Sequence, residues 1–155
     1  FYRVNQNGDI QELSDEIFNK VQAVHWSPDA EKGILTYPDG TKQYYNFETK
    51  EKATLPKHWD EFSFDPGSSQ IAFKETSDNP DFRWISVANP DGTGKEVIEH
   101  MGINDNRVQV DWSPNNETLA TYWEGSGTDR TILYFVGKNN ENNKKEKESN
   151  SYDTL

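Results

Sequence analysis

The stretch Trp26-Ser27-Pro28-Asp29 recurs twice along the chain, as Phe64-Asp65-Pro66-Gly67 and as Trp112-Ser113-Pro114-Asn115. In each copy an aromatic residue is followed by Ser or Asp, by Pro and by a residue type common in turns. Proline lacks the backbone N–H and fixes φ, so a strand has to end there. The Ser or Asp side chain can hydrogen-bond to nearby backbone and tighten the turn. Each copy therefore predicts a strand end followed by a tight turn.

A second apolar run follows each proline, at residues 34–37, 71–73 and 119–122. Apolar and polar residues alternate before the turns, which indicates strands on both sides of them. The aromatic positions of the three copies are 38 and 48 residues apart, close to the period of about 40–50 residues typical of four-stranded propeller blades. The predicted fold is all-β, with antiparallel four-stranded β-propeller blades forming a partial propeller of roughly three blades.

The repeat divides the chain into blade-sized pieces. The partial propeller is predicted at residues 1–137, with a blade remnant at 1–20, a blade at 21–57, a blade at 58–100 and a partial blade at 106–137. Residues 138–155 are rich in Asn, Lys, Glu and Ser, and such a low-complexity polar composition cannot build a core. We interpret them as a disordered loop or linker.

One segment before the first repeat has helical spacing. Leu13, Ile17, Phe18 and Val21 would lie on one face of a helix. Ser14 is a residue type that favours a helix N-terminus. We therefore expect a short helical turn at residues 14–21, placed between blades.

The composition excludes several classes of function. The chain has 27 acidic and 16 basic residues, a net charge of −11 and a pI near 4.6, so it repels phosphate backbones and a nucleic acid partner is not expected. No run approaches the roughly eighteen consecutive apolar residues of a membrane span, so any membrane anchor would lie outside this chain. The chain has no Cys, which rules out disulfides and thiolate sites and fits a location outside the cytoplasm.

The three repeated stretches resemble a known repeat family. Trp26-Ser27-Pro28-Asp29 with residues 34–37 is similar to the Trp-Ser-Pro-Asp-Gly…Ile-Ala-Phe/Tyr repeat of TolB-like, WD-like β-propellers, and Asn89-Pro90-Asp91-Gly92 resembles that family's turn between third and fourth strands. Related repeats build the propellers of prolyl oligopeptidase relatives. The second copy departs with Phe64-Asp65-Pro66, and Asp29-Ala30 lacks the Asp-Gly pair. The resemblance implies six or seven blades in a ring. Either the remaining blades of one larger propeller complete the ring, or a second copy does, or the chain stands alone as a curved array of blades.

Candidate binding residues lie near the predicted ends of fourth strands. His58 and His100 would lie on the same rim of the propeller and could share a ligand, although ordinary loop histidines would follow the same pattern. Trp59 lies in a loop-like stretch, where we predict an exposed aromatic ring that stacks on a sugar or peptide. Trp26 and Trp112, in contrast, occupy one repeated position, which predicts packing between blades.

The sequence carries no catalytic signature. No His or Glu spacing matches a zinc site, no Asp-rich stretch has the pattern of a calcium loop, and no Gly-x-Ser-x-Gly elbow occurs. We therefore predict no enzyme activity, no metal and no cofactor. The function expected is a scaffold outside the cytoplasm that binds protein or polysaccharide through loops on one rim. The alternative is the substrate-gating propeller of a prolyl-oligopeptidase-like serine peptidase whose catalytic domain lies outside this chain.

Overall fold

The computed structural model describes residues 1–125, 130–139 and 144–150. A two-stranded hairpin is followed by three four-stranded antiparallel sheets. The hairpin consists of β1 (Tyr2–Val4) and β2 (Ile10–Glu12). The first blade consists of β3 (Ala23–Trp26), β4 (Lys32–Thr36), β5 (Lys42–Asn46) and β6 (Lys52–Leu55). The second consists of β7 (Trp59–Phe64), β8 (Ile71–Glu75), β9 (Trp84–Ala88) and β10 (Glu96–His100). The third consists of β11 (Val108–Val110), β12 (Thr118–Gly125), β13 (Arg130–Gly137) and β14 (Lys144–Asn150).

The three sheets are arranged as neighbouring propeller blades. In each sheet the strands follow one another in chain order as an antiparallel meander. The first strand of each blade contacts the first strand of the next, β3 with β7 and β7 with β11, so the first strands form the shared inner edge of the blades. The fold is an all-β partial propeller of roughly three blades, as the repeat spacing predicted. Two short 3₁₀ helices, Pro80–Phe82 and Gly102–Arg107, occupy connections at one end of the second blade.

The three proline turns have one geometry. The residue four positions after the repeated aromatic is Ala30, Ser68 or Asn116. In all three blades its backbone N–H donates, at 2.9 Å, to the carbonyl oxygen of the Ser or Asp that directly follows the aromatic. Each of these residues has a positive φ, of 58°, 56° and 63°. The left-handed region favours glycine. This explains why the Trp-Ser-Pro-Asp-Gly repeat of TolB-like propellers, which the sequence resembles, has glycine at this position.

This geometry predicts that Ala30→Gly stabilises the protein. An alanine with a left-handed φ of 58° is strained by about 1–2 kcal/mol, and glycine removes this strain. Glycine also raises the conformational entropy of the unfolded chain, which offsets part of the gain in stability. We expect a gain of about 0.5–1 kcal/mol in the free energy of unfolding, measured by urea titration. The matched control is Ala23→Gly in the extended strand β3, which should lose stability. A loss from Ala30→Gly would contradict the assigned turn.

Alternate residues of the strands pack on opposite faces of each blade. In the first blade, Ile34 and Tyr44 face the second blade, whereas Leu35 and Tyr45 face the hairpin. The cluster between the first and second blades contains Ile34, Tyr44, Leu55, Trp59, Phe62, Phe64, Ile71, Phe73 and Ala88. The cluster between the second and third contains Ala72, Ile85, Val87, Met101, Val108, Val110, Trp112, Leu119, Ala120 and Val136. Aromatic and aliphatic layers between sheets therefore form the core.

The repeated aromatic position is buried in only two of the three blades. Phe64 and Trp112 are 6% and 7% exposed, each covered by the preceding blade, whereas Trp26 is 39% exposed. Trp26 stacks on Phe47 at 5.0 Å and meets the edge of Phe1, but the two-stranded hairpin does not cover it fully. The prediction of a buried inter-blade role is wrong for Trp26 in this chain, because the surface before the first blade is only half covered.

Two predictions of local structure are also wrong. Residues 144–150, assigned to a disordered loop or linker, form β14 and pair with β13; positions 140–143 and 151–155 of that segment lie outside the described residues. An outermost strand is held by backbone hydrogen bonds and needs few apolar side chains, so composition misjudged it. The segment 14–21 forms bends and turns rather than a helix, because Phe18 packs against Phe1 and Tyr45 and Lys20 has a left-handed φ of 61°.

Candidate functional site

The predicted site residues lie at one end of the second blade without converging. The strand registers place Trp59 opposite Glu75, Glu75 opposite Trp84 and Trp84 opposite His100. Trp59, which follows His58, is thus three strand spacings from His100, or about 14 Å across the sheet. The two histidines share a rim, as expected, but they are too far apart to bind the same small group.

Trp59 is not an exposed platform. Its side chain is 4% exposed and stacks on Phe73 with ring centroids 3.9 Å apart and planes 19° apart. Because Trp59 opens β7 rather than lying in a loop, its ring enters the layer between the first and second blades. The prediction that this ring stacks on a ligand is therefore corrected: the ring is core.

Each of the two histidines has a local partner. His58 is exposed, and its Nε2 lies 3.7 Å from Glu75 Oε2. His100 Nε2 lies 3.1 Å from the carbonyl oxygen of Pro80, and its ring is 4.5 Å from that of Trp84. These contacts tie loop residues to the blade, and the binding role of the two histidines stays a prediction.

A buried carboxylate next to His58 was missed by the sequence reasoning. Glu75 is 6% exposed; it accepts a hydrogen bond of 2.5 Å from the Ser86 hydroxyl and two, at 2.9 and 2.8 Å, from the ammonium of Lys95. A buried carboxylate has to be paired in this way to offset its desolvation. Both oxygens of Glu75 are occupied and Ser86 is fully buried, so this network ties β8 to β9 and to Lys95, the residue that precedes β10.

A polar cleft opens between the first and second blades at the opposite end. Its volume is about 680 Å³, within the roughly 300–1,000 Å³ usual for ligand sites. One wall is formed by the first blade, and the other by the β7–β8 and β9–β10 turns of the second. The lining residues are Lys32, Tyr44, Glu51, Lys52, Ala53, Gly67, Ser68, Ser69, Asn89, Pro90 and Asp91. We call this site the inter-blade cleft.

Two hydroxyl groups lie in the buried part of the inter-blade cleft. Tyr44 is 7% exposed, and burial raises the pKa of its phenol, so the group keeps its proton at neutral pH. Ser68 is 3% exposed and accepts a hydrogen bond from the N–H of Asp29 at 3.2 Å, which ties the two proline turns together. Within the described part of the chain, no acceptor is found for the Ser68 hydroxyl proton. The Tyr44 hydroxyl already has a side-chain hydrogen bond with Asn46, whereas the Ser68 hydroxyl proton is available to a ligand.

The charges of the inter-blade cleft are unequally compensated. Lys32 and Lys52 are each held by a carboxylate at 2.8 Å, from Asp29 and Glu16 respectively. Glu51 accepts a hydrogen bond from the Thr49 hydroxyl at 3.1 Å. Asp91 accepts two from Thr93, at 3.0 and 2.7 Å, and these bonds lower the pKa of Asp91. Among the described residues, neither Glu51 nor Asp91 has a cationic nitrogen within 4.0 Å.

The Asp29 turn at the edge of the cleft predicts an acid-sensitive contribution to stability. Burial would raise the pKa of Asp29, but hydrogen bonds from Lys32 and Ser27 outweigh it and lower the pKa to about 2. A carboxylate whose folded pKa is depressed stabilises the fold above its unfolded pKa, near 4, and loses that contribution as the pH falls towards 2.

We therefore expect Asp29→Asn to lower the free energy of unfolding by about 1 kcal/mol at pH 7, after allowing for solvent screening. The difference from the unsubstituted protein should shrink as the pH falls from 4 towards 2. Urea titrations at several pH values measure it. Asp81→Asn, in the exposed 3₁₀ helix Pro80–Phe82 at the other rim, is the control. A constant difference across the pH range would show that the ion pair with Lys32 contributes nothing.

Within residues 1–125, 130–139 and 144–150, no group of three or more His, Asp or Glu side chains is arranged to hold a metal ion. In the same residues, no helix is long and apolar enough to cross a bilayer.

Comparison with known proteins yields structural similarity only. No protein-family model matches the chain, and no curated protein matches it. A prolyl endopeptidase structure aligns with a TM-score of 0.59 and 14% identity, covering 88% of this chain and 24% of that one. The β-propeller domain of the Trilobed protease from Pyrococcus furiosus aligns with a TM-score of 0.55 and 11% identity, covering 85% of this chain and 45% of that one. An oligogalacturonate lyase from Vibrio parahaemolyticus aligns with a TM-score of 0.45 and 12% identity, covering 96% and 58%.

The first two similarities support a propeller fold and nothing finer, because both identities are far below 25%. The chain spans about a quarter and less than half of the length of these two structures.

Proposed function

We propose that this chain is part of a TolB-like β-propeller that acts outside the cytoplasm as a non-enzymatic scaffold, binding a protein or polysaccharide partner. The observation that carries the proposal is the inter-blade cleft of about 680 Å³. Turns and strand ends of two rigid blades line it, an arrangement in which loops bind and sheets position them. The three proline turns with shared left-handed geometry support the TolB-like assignment.

Nuclear magnetic resonance titration of the ¹⁵N-labelled protein tests this function. Two probe classes are added in separate series: short capped peptides of varied charge, and neutral oligosaccharides such as cellohexaose. We expect at least one class to shift the backbone amides of Ser68, Ser69 and Asp91, which line the cleft. Shifts confined to other surfaces, or none at millimolar probe, would overturn binding at this site. Chemical turnover of a probe would contradict the non-enzymatic role.

We also propose that further blades, from a longer protein or a second copy, cover the face of the first blade that carries Trp26. The support is the contrast between Trp26, 39% exposed, and its counterparts Phe64 and Trp112, at 6% and 7%. Native mass spectrometry tests for a second copy, and the difference in fluorescence between the unsubstituted protein and Trp26→Phe isolates the emission of Trp26 among the five tryptophans. A strictly monomeric chain would contradict coverage by a second copy. An emission maximum of Trp26 that is the same in the full gene product as in this chain would contradict coverage by further blades.

A second candidate function is the substrate-gating propeller of a prolyl-oligopeptidase-like serine peptidase. The structural similarity to a prolyl endopeptidase is the observation that favours it. The coding sequence of the full gene discriminates: an α/β-hydrolase segment with Gly-x-Ser-x-Gly, and cleavage of a proline-containing peptide by the full product, would replace the scaffold by this function.

A further inference from the structure

The inter-blade cleft carries negative charge that no neighbouring side chain neutralises. Its two lysines are each held by a carboxylate at 2.8 Å. Glu51 and Asp91 have no such partner among the described residues. Asp91 is ionised at neutral pH, and the hydrogen bonds from Thr93 lower its pKa further. A ligand that brings positive charge would therefore complete the site.

The two carboxylates belong to different blades. Glu51 precedes β6 of the first blade, and Asp91 lies in the β9–β10 turn of the second. Because both residues line the same cleft, a basic ligand that reached both carboxylates would connect its two walls. A guanidinium group suits this position because its N–H donors point in several directions within one plane, and an ammonium group would satisfy the same charges as a point cation.

A buried hydroxyl group provides the complementary chemistry. Ser68 has a proton to donate, with no acceptor among the described residues. A peptide carbonyl oxygen accepts such a bond. A neutral oligosaccharide fits less well, because it would leave both carboxylates unpaired. In addition Tyr44, the aromatic residue of the lining, is 7% exposed and offers no open face for stacking.

We infer that the inter-blade cleft binds a basic segment of a partner protein, with an arginine or lysine side chain placed between Glu51 and Asp91. This inference rests on the proposed binding function and specifies its partner. The net charge of −11 acts in the same direction, because it attracts a basic partner over distances longer than a direct contact.

The test uses the peptide acetyl-Gly-Ser-Arg-Arg-Ser-Gly-amide and its analogue with citrulline at both arginines, which has nearly the same shape and no charge. Dissociation constants are measured by titration of the whole chain at low ionic strength. The double variant Glu51→Gln/Asp91→Asn removes two charges from the cleft. Asp78→Asn/Asp81→Asn removes two charges from the opposite rim and has the same net charge.

We expect the arginine peptide to shift the amides of Ser68, Ser69 and Asp91 and to bind at least about tenfold more tightly than the citrulline peptide, since hydrogen bonds to charged groups are the stronger kind. The cleft variant should lose about tenfold in affinity, and the opposite-rim variant less than about twofold, as expected for screened distant charges. Added salt should weaken the complex. Circular dichroism of both variants confirms that the fold is intact.

Equal losses in both double variants would overturn the inference, because they would show attraction to net charge rather than to the cleft. Equal binding of the citrulline peptide would overturn it as well. If cellohexaose shifts the cleft amides and the arginine peptide does not, the proposed binding function is supported and the inference of a basic partner is wrong. If no probe shifts them, the proposed function falls with the inference.

Discussion

Replacing Trp112 by alanine is expected to lower the free energy of unfolding by about 3–5 kcal/mol, the usual cost of truncating a large core side chain. The ring is 7% exposed and lies in the apolar cluster between the second and third blades. Its indole N–H also donates to the side-chain oxygen of Asn116 at 2.7 Å, so the substitution leaves a cavity and removes a bond that fixes the third proline turn. Urea titration followed by far-ultraviolet circular dichroism measures the loss.

Trp26→Ala is the matched control for Trp112→Ala, because the two residues occupy the same position of the repeat. Trp26 is 39% exposed, and its main contact is the stack on Phe47, so we expect a loss below about 2 kcal/mol. Equal losses at the two positions would contradict the difference in coverage between the first and third blades. Trp112→Phe keeps most of the apolar volume, so its loss in the free energy of unfolding should lie between the losses of Trp26→Ala and Trp112→Ala.

The blade architecture could be predicted because it depends on local chemistry that repeats. Pro28, Pro66 and Pro114 each follow the first strand of a blade, and the turn that contains each proline closes with the same 2.9 Å hydrogen bond. The alternation of Ile34 and Leu35 between two apolar layers follows directly from the period of two in a strand. These features depend on few long-range contacts, so sequence spacing is enough to place them.

Features that depend on neighbours could not be predicted in the same way. The sequence around Trp59 predicts a loop and an exposed ring, but stacking on Phe73 of the adjacent strand decides its burial. The polar strand β14 exists because β13 offers it an edge for pairing, a property of the partner rather than of residues 144–150.

The inter-blade cleft was beyond the reach of the sequence for the same reason. Glu51 and Asp91 are 40 residues apart and line one cleft only because two blades pack side by side. Glu51 and Asp91 have no cationic partner among the described residues because the nearby lysines are paired with other carboxylates. Lys52, for example, pairs with Glu16, 36 residues earlier in the chain. Sequence alone identifies the charges but not which of them are already compensated.

Trp59→Ala is expected to cost about 3–5 kcal/mol in the free energy of unfolding, a result that a surface aromatic would not give. Its ring is enclosed on several sides: it stacks on Phe73 at 3.9 Å and belongs to the same cluster as Leu55. The β9–β10 turn also covers the ring, because a Cβ built on Gly92 would lie 3.7 Å from it.

Trp59→Phe separates the two roles that this ring could have. A core role predicts that phenylalanine restores most of the stability, since apolar volume is what the layer between the first and second blades requires. A ligand platform predicts near-normal stability for Trp59→Ala, with loss of binding alone. Urea titration of both variants decides between them. Full stability of Trp59→Ala would overturn the assignment of Trp59 to the core and with it the packing described between the first two blades.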